Sequence, residues 1–156
     1  MKKTILHQKL INEKIEGFDI LISPPPPAGN YVSVKKTGSL AYVSGQMSIL
    51  SSGIVLSNKE NNTIEFGYKA AEITMANVLK QLFYSKEVEE IQSIIRVDGY
   101  FNTKKAANLP KMLDGASDLI STIFGDKNGT HARTVFEVNA LPYNAFLEIV
   151  VIAEIK

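Results

Sequence analysis

Few side chains in this 156-residue sequence could carry chemistry. Arg96 and Arg133 are its two arginines, His7 and His131 its two histidines, and it has no cysteine. Disulfides, thiolate metal sites and cysteine nucleophiles are thereby excluded. Two histidines give little material for a multi-histidine metal centre or a Ser-His-Asp triad. Ser117, in Gly115-Ala116-Ser117-Asp118-Leu119, has only Asp114 and Ser121 within helical reach. A serine without an activating base is a poor nucleophile.

The pair that stands out is Arg133 and Glu148, on the last two predicted strands. If residues 139–142 close a symmetric four-residue hairpin, Arg133 lies across from Glu148, with Cβ atoms about 5 Å apart. One reading is a cross-strand ion pair of little energetic weight. The other is a site in which the guanidinium fork clamps a carboxylate while Glu148 handles a proton. His131 falls on the same strand face as Arg133 under strict alternation and reads as a hydrogen-bonding residue. Arg96 reads as a salt-bridge partner or a second anion contact. Tyr31, at a strand start, reads as a packed aromatic or a cleft residue.

These side chains need a frame, and the apolar spacing supplies one. Leu6, Leu10, Ile11 and Ile15 predict a short amphipathic helix ending near Gly17. Pro24-Pro25-Pro26-Pro27 cannot join a ladder or a helix interior and reads as an extended connector, dividing a 1–23 extension from a 24–156 domain. The segment from Tyr31 to Gln46 predicts two strands around Thr37-Gly38. A loop follows from Ser51 to Asn62, then a helix over about 63–84. Residues 91–101 form a third strand and about 106–124 a second helix, before the two closing strands. The order predicts an α+β domain with two helices on one face of a mixed sheet.

Composition narrows the function. Seventeen basic residues stand against sixteen acidic ones, and the chain is 45% hydrophobic. A chain of this size buries roughly 70% of its extended surface, enough for one core. Near-neutral charge argues against a dedicated nucleic-acid binder, which carries a clustered basic face. Polar residues interrupt the N-terminus before a signal-peptide core forms, and no apolar run reaches the roughly 18 residues of a membrane span. Asn61 and Asn128 sit in acceptor-like Asn-x-Thr sequences but read as turns. A cytoplasmic protein without membrane association is expected.

Parity along the final strand gives one further expectation. Leu147, Ile149, Val151, Ala153 and Ile155 make an unbroken apolar row for the helices to cover. Phe146, Val150 and Ile152 then stay exposed on the other face beside Glu148 and Glu154. Apolar strand surface of that extent calls for a second copy of the chain.

The segments YVSVKKTGSLAYVSGQ and LDGASDLISTIFGDKNGTHARTVFEVNALPYNAFLEIVVIAEI resemble the Rid family (RidA/YjgF-like, also labelled L-PSP endoribonuclease-like). The resemblance runs from about Pro24 to Ile155 and rests on Ser44-Gly45-Gln46, on HAR-x5-NALP and on a glutamate fifteen residues after the arginine. It implies a chorismate-mutase-like fold, a homotrimer, and ligand sites in clefts between subunits. It also implies cofactor-free hydrolysis of reactive enamines and imines, such as 2-aminoacrylate, to 2-keto acids and ammonia. By position, Arg133 corresponds to the arginine that grips the substrate carboxylate and Glu148 to the acid that positions or activates water. Tyr31, Ser44 and Gly45 correspond to cleft-lining residues. Asp114 stands where relatives often carry Asn, Val135 replaces a cysteine, and the Gly125–Thr130 loop is longer. A non-catalytic keto-acid binder or regulator is the alternative; an endoribonuclease or translation inhibitor ranks lower on charge.

Overall fold

A computed structural model describes Glu13 and residues 23–57, 62–103 and 108–156. The helix expected between Leu6 and Ile15 falls, apart from Glu13, outside these residues. Five strands and two long helices make two layers: β1 (Val34–Thr37), β2 (Leu40–Met47), α1 (Ile64–Tyr84), β3 (Ile91–Phe101), α2 (Leu109–Asn128), β4 (Ala132–Glu137) and β5 (Leu147–Ile155). A short 3-10 turn over Pro142–Asn144 precedes β5. This is the mixed α+β architecture that the element order predicts.

Local chemistry sets the ends of the helices. Thr63 caps α1, its hydroxyl accepting from the Phe66 amide at 3.2 Å. Asn108 caps α2 by accepting from the Lys111 amide at 3.3 Å, and Pro110 occupies its first turn. The regular course of α2 breaks at Gly125, whose φ of 76° favours glycine, so the helix outruns its predicted end only by a separate last turn. The helices approach closely where Gly115 faces the Tyr68 carbonyl, since a Cβ there would lie 2.1 Å from that oxygen.

The sheet order is β1-β2-β5-β3-β4, antiparallel except for the parallel β3/β4 pair. Leu147, Ile149, Val151, Ala153 and Ile155 are all buried beneath the helices, as parity along β5 requires. Val97 of β3 and Val43 of β2 lie in register with Val151 and join the same core.

Two expectations fail here. The closing strands are not a hairpin, because β3 lies between them and pairs with both. The physical reason is burial: Ile94, Val97 and Phe101 are each completely buried, so β3 needs a neighbour on both edges. Phe146 also leaves the open face. It precedes β5 and is buried edge-on between Phe66 and Phe101, with ring centroids at 5.0 and 5.6 Å.

The open face keeps an apolar character without it. Tyr42 and Phe136 are 43% and 55% exposed, Phe136 stacks on Tyr100, and Val150 and Ile152 are half-buried between them.

Candidate functional site

Arg133 lies opposite Val97 in the β3/β4 register, and Val97 is opposite Val151. Register partners point to the same side of a sheet, so Arg133 faces the helix layer at the outer edge of β4. Glu148, in register with Tyr100 and Met47, faces the open side. Two strand spacings and three residues separate the pair, roughly 14 Å between Cα atoms. The cross-strand contact expected from the hairpin therefore does not exist within one chain.

Arg133 meets one face of α2. Its Nη2 lies 2.8 Å from Asp114 Oδ1 and donates to the Pro110 carbonyl at 3.2 Å, while Nη1 donates to Ser117 Oγ at 3.0 Å. Residues 110, 114 and 117 share that face by i, i+4, i+7 spacing. Ser117 Oγ lies 2.9 Å from His131 Nε2, and His131 Nδ1 lies 2.8 Å from the Gly129 carbonyl. A carbonyl only accepts, so Nδ1 carries the proton and, in neutral imidazole, Nε2 accepts from Ser117. The chain thus runs from Arg133 to Ser117 to His131 to Gly129. Sequence spacing missed the Ser117–His131 contact because helical reach cannot find a base that lies beyond the helix, just before β4. Val135, two residues along β4, is half-buried against the core.

Glu148 belongs to a different constellation. The β2/β5 register shifts between Val43 and Gln46, and Gly45 lies in that bulge. A Cβ on Gly45 would fall 1.7 Å from Glu148 Oε1, so the carboxylate occupies space that only glycine leaves open. Desolvation in this half-buried seat raises the Glu148 carboxyl above its ordinary range. Gln46 braces the bulge by donating to the Ser44 and Gly45 carbonyls at 3.0 and 3.1 Å. Gln81 of α1 donates to Gln46 Oε1 at 3.1 Å and to the Pro25 carbonyl at 2.9 Å, tying the proline connector to the same place. Neither glutamine role was evident from residue type.

A pocket of about 380 Å³ opens beside the bulge, lined by Pro25–Pro27, Tyr31, Gly45, Met47, Gln81 and Tyr143 among others. Tyr31 is half exposed in it, and its hydroxyl accepts from the Ala28 amide at 3.1 Å. Ser44 turns its hydroxyl to the Val32 carbonyl at 2.7 Å. Tyr31 and Gly45 thus line one pocket, Ser44 adjoins Gly45 in the chain, and Glu148 abuts Gly45 without lining that pocket. The structure gathers Arg133, Asp114, Ser117 and His131 at the β4 edge. Arg96 joins neither group; its Nε donates to both Asp98 oxygens at 3.0 Å. Among the described residues, no group of three or more His, Asp or Glu side chains is placed to hold a metal ion. No described helix is long and apolar enough to cross a membrane.

Residues 21–155 match the family model described as "YjgF/chorismate mutase-like, putative endoribonuclease". The chain belongs to this YjgF-like family. A solved protein of unknown function from Agrobacterium tumefaciens shares 27% identity with it at a TM-score of 0.78, over 96% of this chain and 95% of the other. A Shewanella oneidensis structure carrying the endoribonuclease description shares 30% identity at a TM-score of 0.77, over 86% and 91% of the two chains. The Trypanosoma cruzi protein TCP17 is 28% identical over 134 residues, 83% of this chain and 84% of its own length.

Proposed function

We propose that this protein hydrolyses reactive enamines and imines of 2-keto acids, releasing the keto acid and ammonia, in clefts between copies of the chain. The observation that carries the reading is Glu148, whose half-buried carboxyl is seated against Gly45 in the β2 bulge, where desolvation raises its proton affinity. Such a group exchanges protons nearer neutrality than an ordinary carboxylate. Hydrolysis of a protonated imine needs an anchored substrate, a placed water and proton transfer, because the carbon is already electrophilic.

Arg133 is the matching carboxylate anchor, since its planar fork suits carboxylate geometry in a way that lysine does not. It stands on the opposite sheet face from Glu148, so a complete site takes Arg133 from one copy and Glu148 from another. The open face bearing Tyr42, Val150, Ile152 and Phe136 supports such an assembly, and a closed homotrimer would use it at every subunit. Tyr31, Ser44 and Gly45 would line the cleft on the Glu148 side.

The endoribonuclease description of relatives draws less support from this chain. A net charge of +1 and two arginines leave little to hold a phosphate backbone. The test is ammonia release from iminopropionate generated in situ. Wild type is expected to exceed the spontaneous rate, and Arg133→Ala and Glu148→Ala to fall back towards it. A wild-type rate equal to the spontaneous one for several imines rejects the reading.

A further inference from the structure

Among the described residues, Asp114 is the charged partner of Arg133, and hydrolysis as proposed gives it no task. We propose that the Arg133–Asp114 pair selects zwitterionic ligands, namely α-amino acids and protonated α-imino acids, over simple carboxylate anions. This rests on Arg133 acting as the carboxylate anchor.

The contacts divide the guanidinium's partners into fixed and exchangeable ones. Pro110 offers a backbone carbonyl in the first turn of α2, which cannot swing away. Ser117 is held from behind by His131, and His131 by the Gly129 carbonyl. Asp114 differs: its side chain is 45% exposed and its contact with Arg133 is the 2.8 Å ion pair alone. A ligand carboxylate approaching the guanidinium displaces Asp114 most readily, while Ser117 and Pro110 keep Arg133 in place.

The charge balance then decides which ligand fits. Arg133 and Asp114 sum to zero. A keto acid or hydroxy acid brings one negative charge and leaves it beside the carboxylate it displaced. A ligand with a positive nitrogen next to its carboxylate answers both charges, carboxylate to Arg133 and nitrogen to Asp114. Specificity of this kind is a difference between two affinities, with repulsion of the wrong ligand as one half of it.

The consequence reaches the reaction. A protonated imine, R–C(=NH2+)–COO−, reacts with water to give R–CO–COO− and NH4+; the C=N bond breaks, the water oxygen becomes the keto oxygen, and nitrogen leaves with the protons. Substrate is a zwitterion and organic product an anion. Asp114 therefore favours the substrate and hastens release of the keto acid. A neutral amide at this position would bind the two more evenly.

The test is calorimetric titration of the full-length protein with L-alanine and L-lactate, which differ by an ammonium in place of a hydroxyl. Wild type is expected to bind L-alanine about fivefold more tightly or better, the scale of one moderately screened charge pair. Asp114→Asn is expected to bring the two affinities to within about twofold of each other, chiefly by improving L-lactate binding. Arg133→Ala is expected to lose both ligands. An unchanged alanine-to-lactate ratio in Asp114→Asn overturns the selectivity while leaving the anchor intact. Undiminished binding by Arg133→Ala, or no binding of either ligand by wild type, removes the anchor and the selectivity together.

Discussion

Arg133 and Glu148 stand on opposite faces of one sheet, with β3 lying between the strands that carry them. Each side chain is held by its own set of neighbours: Asp114, Ser117 and Pro110 for the arginine, the Gly45 bulge for the glutamate. In the function proposed above, one small ligand meets both side chains only where two copies of the chain adjoin.

Gly45→Ala tests the seat of Glu148. The new methyl group would overlap Oε1 and must push the carboxylate out of its seat. A misplacement of about 1 Å at a catalytic group costs up to roughly a hundredfold in rate. Imine hydrolysis is expected to fall at least tenfold, while the melting temperature changes little because a long side chain can swing aside. Parallel rate and thermal-unfolding measurements check both parts.

This site was only half legible in the sequence. Parity assigned the buried row of β5 correctly, and helix spacing found both helices, because burial imposes periodicity directly on residue type. The hairpin assumption failed at β4 because pairing partners are set by the sheet as a whole. A strand as apolar as Ile91–Phe101 claims two neighbours, and nothing local to residues 132–155 reveals that. His131 beside Ser117 was hidden for the same reason: its partner lies across the helix–strand junction. Gly45 and Glu148 meet through a bulge, a register change that residue types do not encode.

The Glu148 carboxyl gives a pH dependence with a definite sign. Its folded-state proton affinity is raised above the ordinary value of 4.5. Between the unfolded and folded values the native state binds more protons, so stability falls as pH rises through that window. Glu148→Gln removes this fall. Thermal unfolding as a function of pH is expected to show a decline above about pH 4.5 in wild type and a flatter profile in the variant. If Glu148 is the base, kcat/KM for imine hydrolysis rises along the same titration, displaced upward from the usual carboxylate range.

Lys80 supplies an independent check on burial. It lies wholly buried in α1, and desolvation lowers its ammonium to about 8. Here the unfolded state holds more protons between the two values, so stability rises as pH increases from about 8 towards 10.5. Lys80→Met keeps the aliphatic stem and removes the charge. Its melting temperature at pH 7 is expected to exceed wild type by about 4 °C, and the alkaline gain is expected to vanish. A variant less stable than wild type at pH 7 argues against the cost of that charge.

The hydrogen-bond chain behind Arg133 fixes a tautomer. With Nδ1 donating to Gly129, neutral His131 must present a bare Nε2 to Ser117. Nitrogen-15 NMR is expected to show the Nδ1–H tautomer for the uncharged imidazole. Ser117→Ala is expected to raise KM about fivefold with a smaller change in kcat, since it loosens a ground-state anchor. An Nε2–H tautomer would contradict the direction of the chain.

The division of the site between copies is tested most directly by mixing two inactive variants. Arg133→Ala and Glu148→Ala chains, co-expressed in equal amounts, each bring the half that the other lacks. In a closed ring assembled at random, about a quarter of the clefts then hold both residues. Imine hydrolysis in the mixture is predicted to recover to about that fraction of wild type, although each variant alone is inactive. A mixture as inactive as its parents, while wild type handled identically remains active, contradicts a site shared between copies.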